Sequence, residues 1–295
     1  MMHYQHCPSC GSTAIRFKFD CTDNSVSKES FPVWECDNCT LRFTQNIPEE
    51  NEIGRYYNAE AYVSHTDSQK GLINRVYHVV RNYTMKQKRK LIERVAPKRN
   101  GKLLDIGAGT GMFLKTMKDA GWAAKGLEPD EAAREKARDL HSIDLHDASE
   151  LFVLNEKFDV ITMWHVLEHV HRLHEYLNEI KDSLHKDGRL IIAVPNYTSA
   201  DASHYRQDWA AYDVPRHLYH FSPASMEKLL LKHGMKILSF EPMWFDSFYV
   251  SMLTEKYKRK PFGMLRAVWA GLNSNLHAIG DPKHSSSVIY IAALT

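Results

Sequence analysis

Four cysteines open the chain in two tight pairs, Cys7 and Cys10 in "CPSCG" and Cys36 and Cys39 in "CDNC". Two thiolates on each of two short turns, brought together, supply the four-sulfur tetrahedron that a structural zinc prefers. A catalytic zinc would keep one position open. The expected metal is therefore a closed structural Zn2+, with Cys21 as the spare thiol. A redox role fits less well, because two such pairs occur and neither opens a helix in a βαβ unit. No cysteine follows residue 39, so the rest of the chain carries no thiol nucleophile of its own.

A second constellation is the stretch "LLDIGAGTGMFL" at 103 to 114, with Gly107, Gly109 and Gly111 between an apolar run and a helical pattern. Glycines at such a turn let backbone approach a ligand with no Cβ between them. A dinucleotide fingerprint would want its third glycine at position 112, which is Met112. Asp105 stands two residues before the first glycine, where a carboxylate suits a positively charged ligand better than a pyrophosphate. In "GLEPD", Glu128 ends the next strand and can accept hydrogen bonds from ribose hydroxyls, a feature shared with NAD sites. Asp105 and the glycine spacing are what discriminate.

Two histidine-bearing segments follow. "HVLEH" at 165 to 169 has the HxxEH spacing of inverted zinc peptidases. His165 follows a strand directly, so His165 and His169 straddle a turn, and no third acidic ligand is recognisable; a loop beside the ligand is the better reading. "DVPRHLYHFS" at 213 to 222 holds Asp213, Arg216, His217, Tyr219 and His220 ahead of a helix with Ser222 as N-cap and Pro223 in its first turn. A hydroxyl that accepts a transferred group must lose its proton, and imidazole is the side chain that titrates near neutral pH. His217 is the first candidate base, then His169, then His220, with Arg216 set to orient an anionic group.

These residues need a scaffold, and the chain alternates strand and helix patterns from residue 100 onward. Strands are expected at 102–106, 123–128, 143–146, 158–164 and 188–195, with helices at 111–121, 130–140 and 172–186. Such alternation implies an α/β, doubly wound, mostly parallel sheet with ligands at the carboxyl ends of its strands. The expected organisation is a small zinc-ribbon-like unit at 1–46, a helical connector at 47–98 and a main domain at 99–295. Within the last, Phe262, Leu265, Trp269, Leu272, Leu276 and Ile279 recur at helical spacing inside an insertion at 246–285. Packed on the domain, that stripe would make a lid. Beside "KYKRK" at 256 to 260, it could instead dock on a membrane surface or a lipid-linked substrate.

The motifs "LLDIGAGTGMFL", "GLEPD", "FDVITMWHVLEHV" and "LHKDGRLIIAVPN" occur in this order, and with the C-terminal strands they resemble the class I S-adenosylmethionine-dependent methyltransferase family. The resemblance runs from about residue 100 to the end. It implies a Rossmann-like sheet of seven strands whose last strand, at 286 to 293, is antiparallel, and S-adenosyl-L-methionine as cofactor. It also implies that Asp105, Gly107 and Gly109, with Ala108 and Gly111, line the methionine end. Glu128, with Pro129, would hold the ribose, Asp147 and Ala148 would flank the adenine, and Trp164 and His165 would close the pocket. The cysteine pairs and the 213–222 segment resemble a bacterial subgroup associated with surface-glycan or secondary-metabolite modification.

The function expected from these readings is methyl transfer to oxygen, or to carbon, of a sugar, glycan precursor or small metabolite. An RNA methyltransferase is the alternative enzyme, since the zinc ribbon and the basic stretch 86–102 could grip a phosphate backbone. Against it, the fourth strand lacks the N/D-P-P-aromatic turn of amino-methylating enzymes. A non-enzymatic zinc-ribbon adaptor would not need Asp105, three glycines and Glu128 intact. Net charge is +2, with 43% apolar residues, as in ordinary globular proteins. With no apolar leader at the first residues and no run long enough to span a bilayer, the expected location is the cytoplasm.

Overall fold

The principal sheet is built from six strands between residues 102 and 294, in the order β5-β4-β6-β7-β10-β9. Its members are β4 (Lys102–Ile106), β5 (Ala123–Leu127), β6 (Phe158–Trp164), β7 (Leu184–Pro195), β9 (Met235–Pro242) and β10 (Ser287–Leu294). The structure, a computed structural model, describes residues 1–57 and 72–295, without the side chains of 72–79. Strands β4, β5, β6 and β7 pair in parallel, and β10 runs antiparallel to both neighbours. This is the Rossmann-like sheet expected of a class I methyltransferase. The expected strand at 143–146 is reduced to a single parallel bridge, Leu127 to His146. Asp147 ends it by accepting the Ser149 N–H at 2.9 Å, which turns the chain into a short 3-10 helix.

Helices cover both faces. The first is α1 (Leu72–Val95), and part of the expected connector preceding it lies outside the described residues. Next come α2 (Met112–Asp119), α3 (Glu131–His141, capped by Asp130) and α4 (Leu173–Ser183). After the short α5 (Ala200–Tyr205), α6 (Pro223–Lys232) starts with a reciprocal Ser222–Ser225 capping box and Pro223 in its first turn.

The N-terminal residues build a second sheet from β1 (Ile15–Thr22), β2 (Ser30–Cys36) and β3 (Arg42–Thr44). Its fourth strand is β8 (Tyr219–His220), which comes from the histidine segment and pairs antiparallel with β3. Cys7, Cys36, Cys39, Leu41 and Phe43 share one hydrophobic core with Leu104, Ile106 and Met163 of the principal sheet. The boundary expected at residue 46 is therefore not a break in the core.

The insertion forms two packed helices, α7 (Asp246–Lys258) and α8 (Gly263–Gly280). Small residues of α8 face inward: Ala267, Ala270, Gly271, Ser274 and Ala278 are buried. A Cβ on Gly271 would lie 2.6 Å from the Phe248 ring, so close contact with α7 requires glycine there. The large apolar residues expected to hold a lid down point to solvent instead. Among the described residues, no helix is long and apolar enough to cross a membrane.

The turn after β1 is also tied to the 213–222 segment through Arg216, which is 2% exposed. Its guanidinium donates to both carboxylate oxygens of Asp213 (3.0 and 2.6 Å), to the Tyr56 carbonyl (2.8 Å), to Asp23 (3.1 Å) and to Ser25. Burial alone would raise the Asp23 pKa, but the Ser27 N–H and the Arg216 guanidinium hold it well below the usual carboxylate range. The stability this carboxylate contributes is full above about pH 4 and is lost on further acidification, when protonation removes the charge. Asp23→Ala strands part of a buried cation and should cost about 3–5 kcal/mol in urea denaturation. Removing the exposed Arg16–Asp37 pair should cost at most about 1 kcal/mol. An Asp23→Ala loss no larger than that of the surface pair would refute this assignment.

Candidate active site

The glycine loop leaves β4 and is tied to β5, because the Gly107 and Ala108 N–H groups both donate to the Leu127 carbonyl at 2.8 and 2.9 Å. Gly107, Gly109 and Gly111 all have left-handed φ, at 73°, 54° and 75°. A Cβ on Gly107 would lie 2.3 Å from Val166, whereas one on Gly109 would meet nothing within 4 Å. Gly107 is thus required by packing, and Gly109 leaves open space. Glu128 faces that space with its carboxylate fixed, accepting from the Gly109 N–H at 2.7 Å and the Asp130 N–H at 3.0 Å. Burial raises its pKa, against the lowering effect of those two donors. Arg134 gathers the next loop, donating to the Glu128 and Pro129 carbonyls and to Asp147 at 2.6, 2.8 and 3.1 Å. Ala148 follows as the first residue of the 3-10 helix.

At the carboxyl end of β4, Asp105 is buried and accepts a hydrogen bond from Thr162 of β6 at 2.7 Å. Burial pushes its pKa up, and burial pushes that of Lys88 down; each is partly restored by the charge of the other. The Lys88 ammonium lies 4.1 Å from the Trp164 ring centroid, and Trp164 packs edge-on against Phe113. Lys88 belongs to the basic stretch 86–102, which the sequence offers as a grip for a phosphate backbone. Four of its neighbours in that stretch, Arg89, Arg94, Lys98 and Lys102, pair with carboxylates. Beside Lys88 and Asp246, a groove of ≈ 380 Å³ opens between α1 and the start of α7, bordered by Tyr83, Trp244 and Phe245.

Past Trp164 the chain turns at His165, a non-glycine residue with φ 57°. His165 sits between Asp246 (2.9 Å) and Glu168 (3.3 Å). Burial would lower its pKa, but the two carboxylates raise it to about 10, so it is an imidazolium at neutral pH. His169 and His217 come together, with ring centroids 4.6 Å apart. Each has Nδ1 against a backbone carbonyl, Arg216 at 3.0 Å and Ala211 at 2.8 Å. A carbonyl only accepts, so Nδ1 carries the proton and Nε2 presents a lone pair in both rings. Tyr57 caps the His169 side at 3.0 Å. Burial and the neighbouring His217 push the His169 pKa down to about 4, which keeps it neutral. Glu168 completes the group: one ligand atom from each of the three side chains lies within 4.8 Å of the others. Its Oε2 has no hydrogen-bond partner among the described residues. Three side chains that can bind a proton or a cation therefore converge.

Two sequence expectations change here. His220 is buried at the β3–β8 pairing, where its Nε2 lies 3.1 Å from Thr44 Oγ1. That hydroxyl donates to the His217 carbonyl at 2.7 Å, so it must accept from His220, which therefore has no free lone pair on that nitrogen. His220 holds β8 in place. Arg216, expected to orient an anionic group, is buried and its charge is committed to Asp213, Asp23, Ser25 and Tyr56 inside the protein. Lys88, Thr162, Asp246 and Glu168 are the participants missed from sequence; only Glu168 had a local signal, in HVLEH.

The four cysteines at 7, 10, 36 and 39 form one cluster that could bind a metal. Cys7 and Cys39 sulfurs are 3.5 Å apart, and those of Cys10 and Cys36 are 3.6 Å apart. A tetrahedron of sulfurs about 2.3 Å from zinc has edges of ~3.8 Å, so the donor set fits. Cys21 stands apart, its thiol donating to the Gln207 carbonyl at 3.3 Å; burial pushes its pKa up to about 12.

The chain is 33% identical over 110 residues to a ubiquinone biosynthesis O-methyltransferase of Glaesserella parasuis, covering 33% of this chain and 47% of that protein. It is 36% identical over 123 residues to the protein of the same name from Actinobacillus pleuropneumoniae, covering 36% and 53%. The chain thus spans about half the length of these curated relatives. Among solved structures, magnesium protoporphyrin IX methyltransferase of Synechocystis PCC 6803, with SAH bound, aligns with TM-score 0.54 at 13% identity. That alignment covers 84% of this chain and all (100%) of the other, a likeness of fold. The profile described as a methyltransferase domain matches residues 80–239, more than half of the sequence, and the chain belongs to that family.

Proposed function

We propose that this chain is an S-adenosylmethionine-dependent methyltransferase that methylates an oxygen of a small hydroxylated metabolite, with His217 as proton acceptor. The observation that carries the reading is the convergence of His169, His217 and Glu168 just past the turn that follows β6. When bound, the cofactor supplies an activated methyl group on a sulfonium. The chain's part is then to orient an acceptor and remove its proton. Asp105 and Lys88, of opposite sign, complement the ammonium and carboxylate of a methionine moiety. Glu128 offers its remaining lone pairs to a ribose, and the space at Gly109 admits a ligand against backbone. Asp147 and Ala148 would border the adenine. A proton taken by His217 Nε2 creates an imidazolium that the Glu168 carboxylate stabilises, while neutral His169 adds no competing charge.

The names of the relatives, in ubiquinone biosynthesis, favour a hydroxylated ring over a sugar or glycan precursor. The commitment of Arg216 to internal partners removes the anion clamp that a sugar-nucleotide acceptor would use. The aromatic border of the groove beside Lys88 suits a flat apolar acceptor. A structural zinc held by Cys7, Cys10, Cys36 and Cys39 would brace β3, and through its pairing with β8 the segment that carries His217.

S-adenosylhomocysteine should raise the melting temperature and NAD should not, since a ligand that binds only the folded state stabilises it. Gly109→Val should abolish the shift by filling space that no protein atom occupies, and should also lower the melting temperature of the free protein, since φ 54° strains a β-branched residue. A shift with NAD alone would refute the cofactor. Metal analysis should find one zinc in the wild type and in Cys21→Ser, and none in Cys36→Ser; full zinc in Cys36→Ser would overturn the ligand set. With a catechol-type acceptor, His217→Ala should bind S-adenosylhomocysteine normally yet turn over about 10² to 10⁴-fold more slowly. Unchanged turnover would dismiss His217 as the base, and equal loss of cofactor binding would make it structural.

A further inference from the structure

The hairpin of α7 and α8 carries a stripe that faces away from the protein. Phe262 is 78% exposed, Leu265 69%, Trp269 58%, Leu272 51%, Leu276 66% and Ile279 70%. An ordinary surface helix buries its large apolar residues and exposes small or polar ones. Here the order is reversed, and the inward face is made of alanine, glycine and serine. A contiguous row of this kind, five turns long, marks an interaction surface. At one end of it stand Lys256, Arg259 and Lys260, all exposed and without an ion pair among the described residues. Lys258, in the same run, is bound to Asp208.

The charge pattern selects the occupant. From 256 to 280 the chain has no aspartate or glutamate. Of the carboxylates at its edges, Glu255 is buried and paired with Arg266, Asp208 is paired with Lys258, and Asp281 caps the turn after α8. A two-fold contact with a second copy requires a self-complementary patch. This surface would offer three unpaired cations to its own image against carboxylates that are already bound or capping a turn. An anionic lipid surface satisfies both halves: headgroups neutralise the lysines and arginine, and the acyl boundary takes the aromatic and aliphatic row. We propose that α8, with the basic run that precedes it, docks in the plane of an anionic bilayer, without crossing it. The hairpin begins at Asp246, which pairs with His165, so docking would bring the candidate active site to the lipid boundary.

The test uses the full chain, vesicles of phosphatidylcholine with and without phosphatidylglycerol, and no substrate, so it stands apart from the methyl-transfer reading. The protein should sediment with the phosphatidylglycerol vesicles, and high salt should release most of it. Lys256→Gln, Arg259→Gln and Lys260→Gln together should weaken binding by roughly 100-fold, from the attraction of three cations near an anionic surface. Trp269→Glu with Leu276→Glu should abolish binding yet keep the wild-type melting temperature, because both side chains are exposed. Absence of vesicle binding in the wild type, or binding that survives the double substitution, overturns the proposal. So does a wild-type dimer in light scattering that ignores vesicles and that the same double substitution converts to monomer, which would assign the stripe to a second copy.

Discussion

A buried guanidinium cannot remain unsatisfied, and the satisfaction of Arg216 organises this molecule. Its donors reach Asp23 and Ser25 in the N-terminal sheet, the Tyr56 carbonyl in the connector and Asp213 at the start of its own segment. Three stretches far apart in sequence are thereby held to one point. The segment so anchored runs on as His217, β8 and the capping box of α6. Loss of any one partner would leave charge in a medium that solvates it poorly, which makes the arrangement all-or-none. The position of His217 against His169 is a by-product of that closure, since the residue next to a clamped arginine has little freedom of its own.

Much of the scaffold was legible in the residues. The runs at 102–106 and 158–164 became β4 and β6 at those bounds, because strands buried on both faces are continuous apolar stretches. The glycine loop and Glu128 could be read because their chemistry is local. Lys88 could not: a lysine in a run of lysines and arginines looks solvated, and only the docking of α1 turns this one toward Asp105. Arg216 was read as a ligand-binding cation because two of its three kinds of partner, Asp23 with Ser25 and the Tyr56 carbonyl, lie far upstream. For α8, periodicity established that there are two faces but not which one meets the protein. Close approach to Phe248 decided that, and it selects the small side chains.

Charge alternates across the site. Lys88 stands by Asp105, and imidazolium His165 lies between Asp246 and Glu168. Asp105 and Glu168 are buried and the other three are half-buried, at a cost that the neighbouring charges offset. The first residue of the α7–α8 hairpin belongs to this chain of charges, so the insertion is rooted in the site and not merely attached to its rim. His169 and His217 lie at the end of the same sequence of contacts, gathered with Glu168.

The pairing of β3 with β8 has a consequence for biosynthesis. Thr44 meets the His217 carbonyl across 173 residues of sequence. During translation the cysteine pairs emerge first, and β1, β2 and β3 can assemble on their own turns while the ribosome is still at work. Their sheet then waits with β3 as an open edge until the strand that completes it is made. Contacts so distant form late and slowly. A nascent chain is thus exposed along β3 for most of its synthesis, and metal capture by the cysteines at that stage would order the waiting edge before its partner exists.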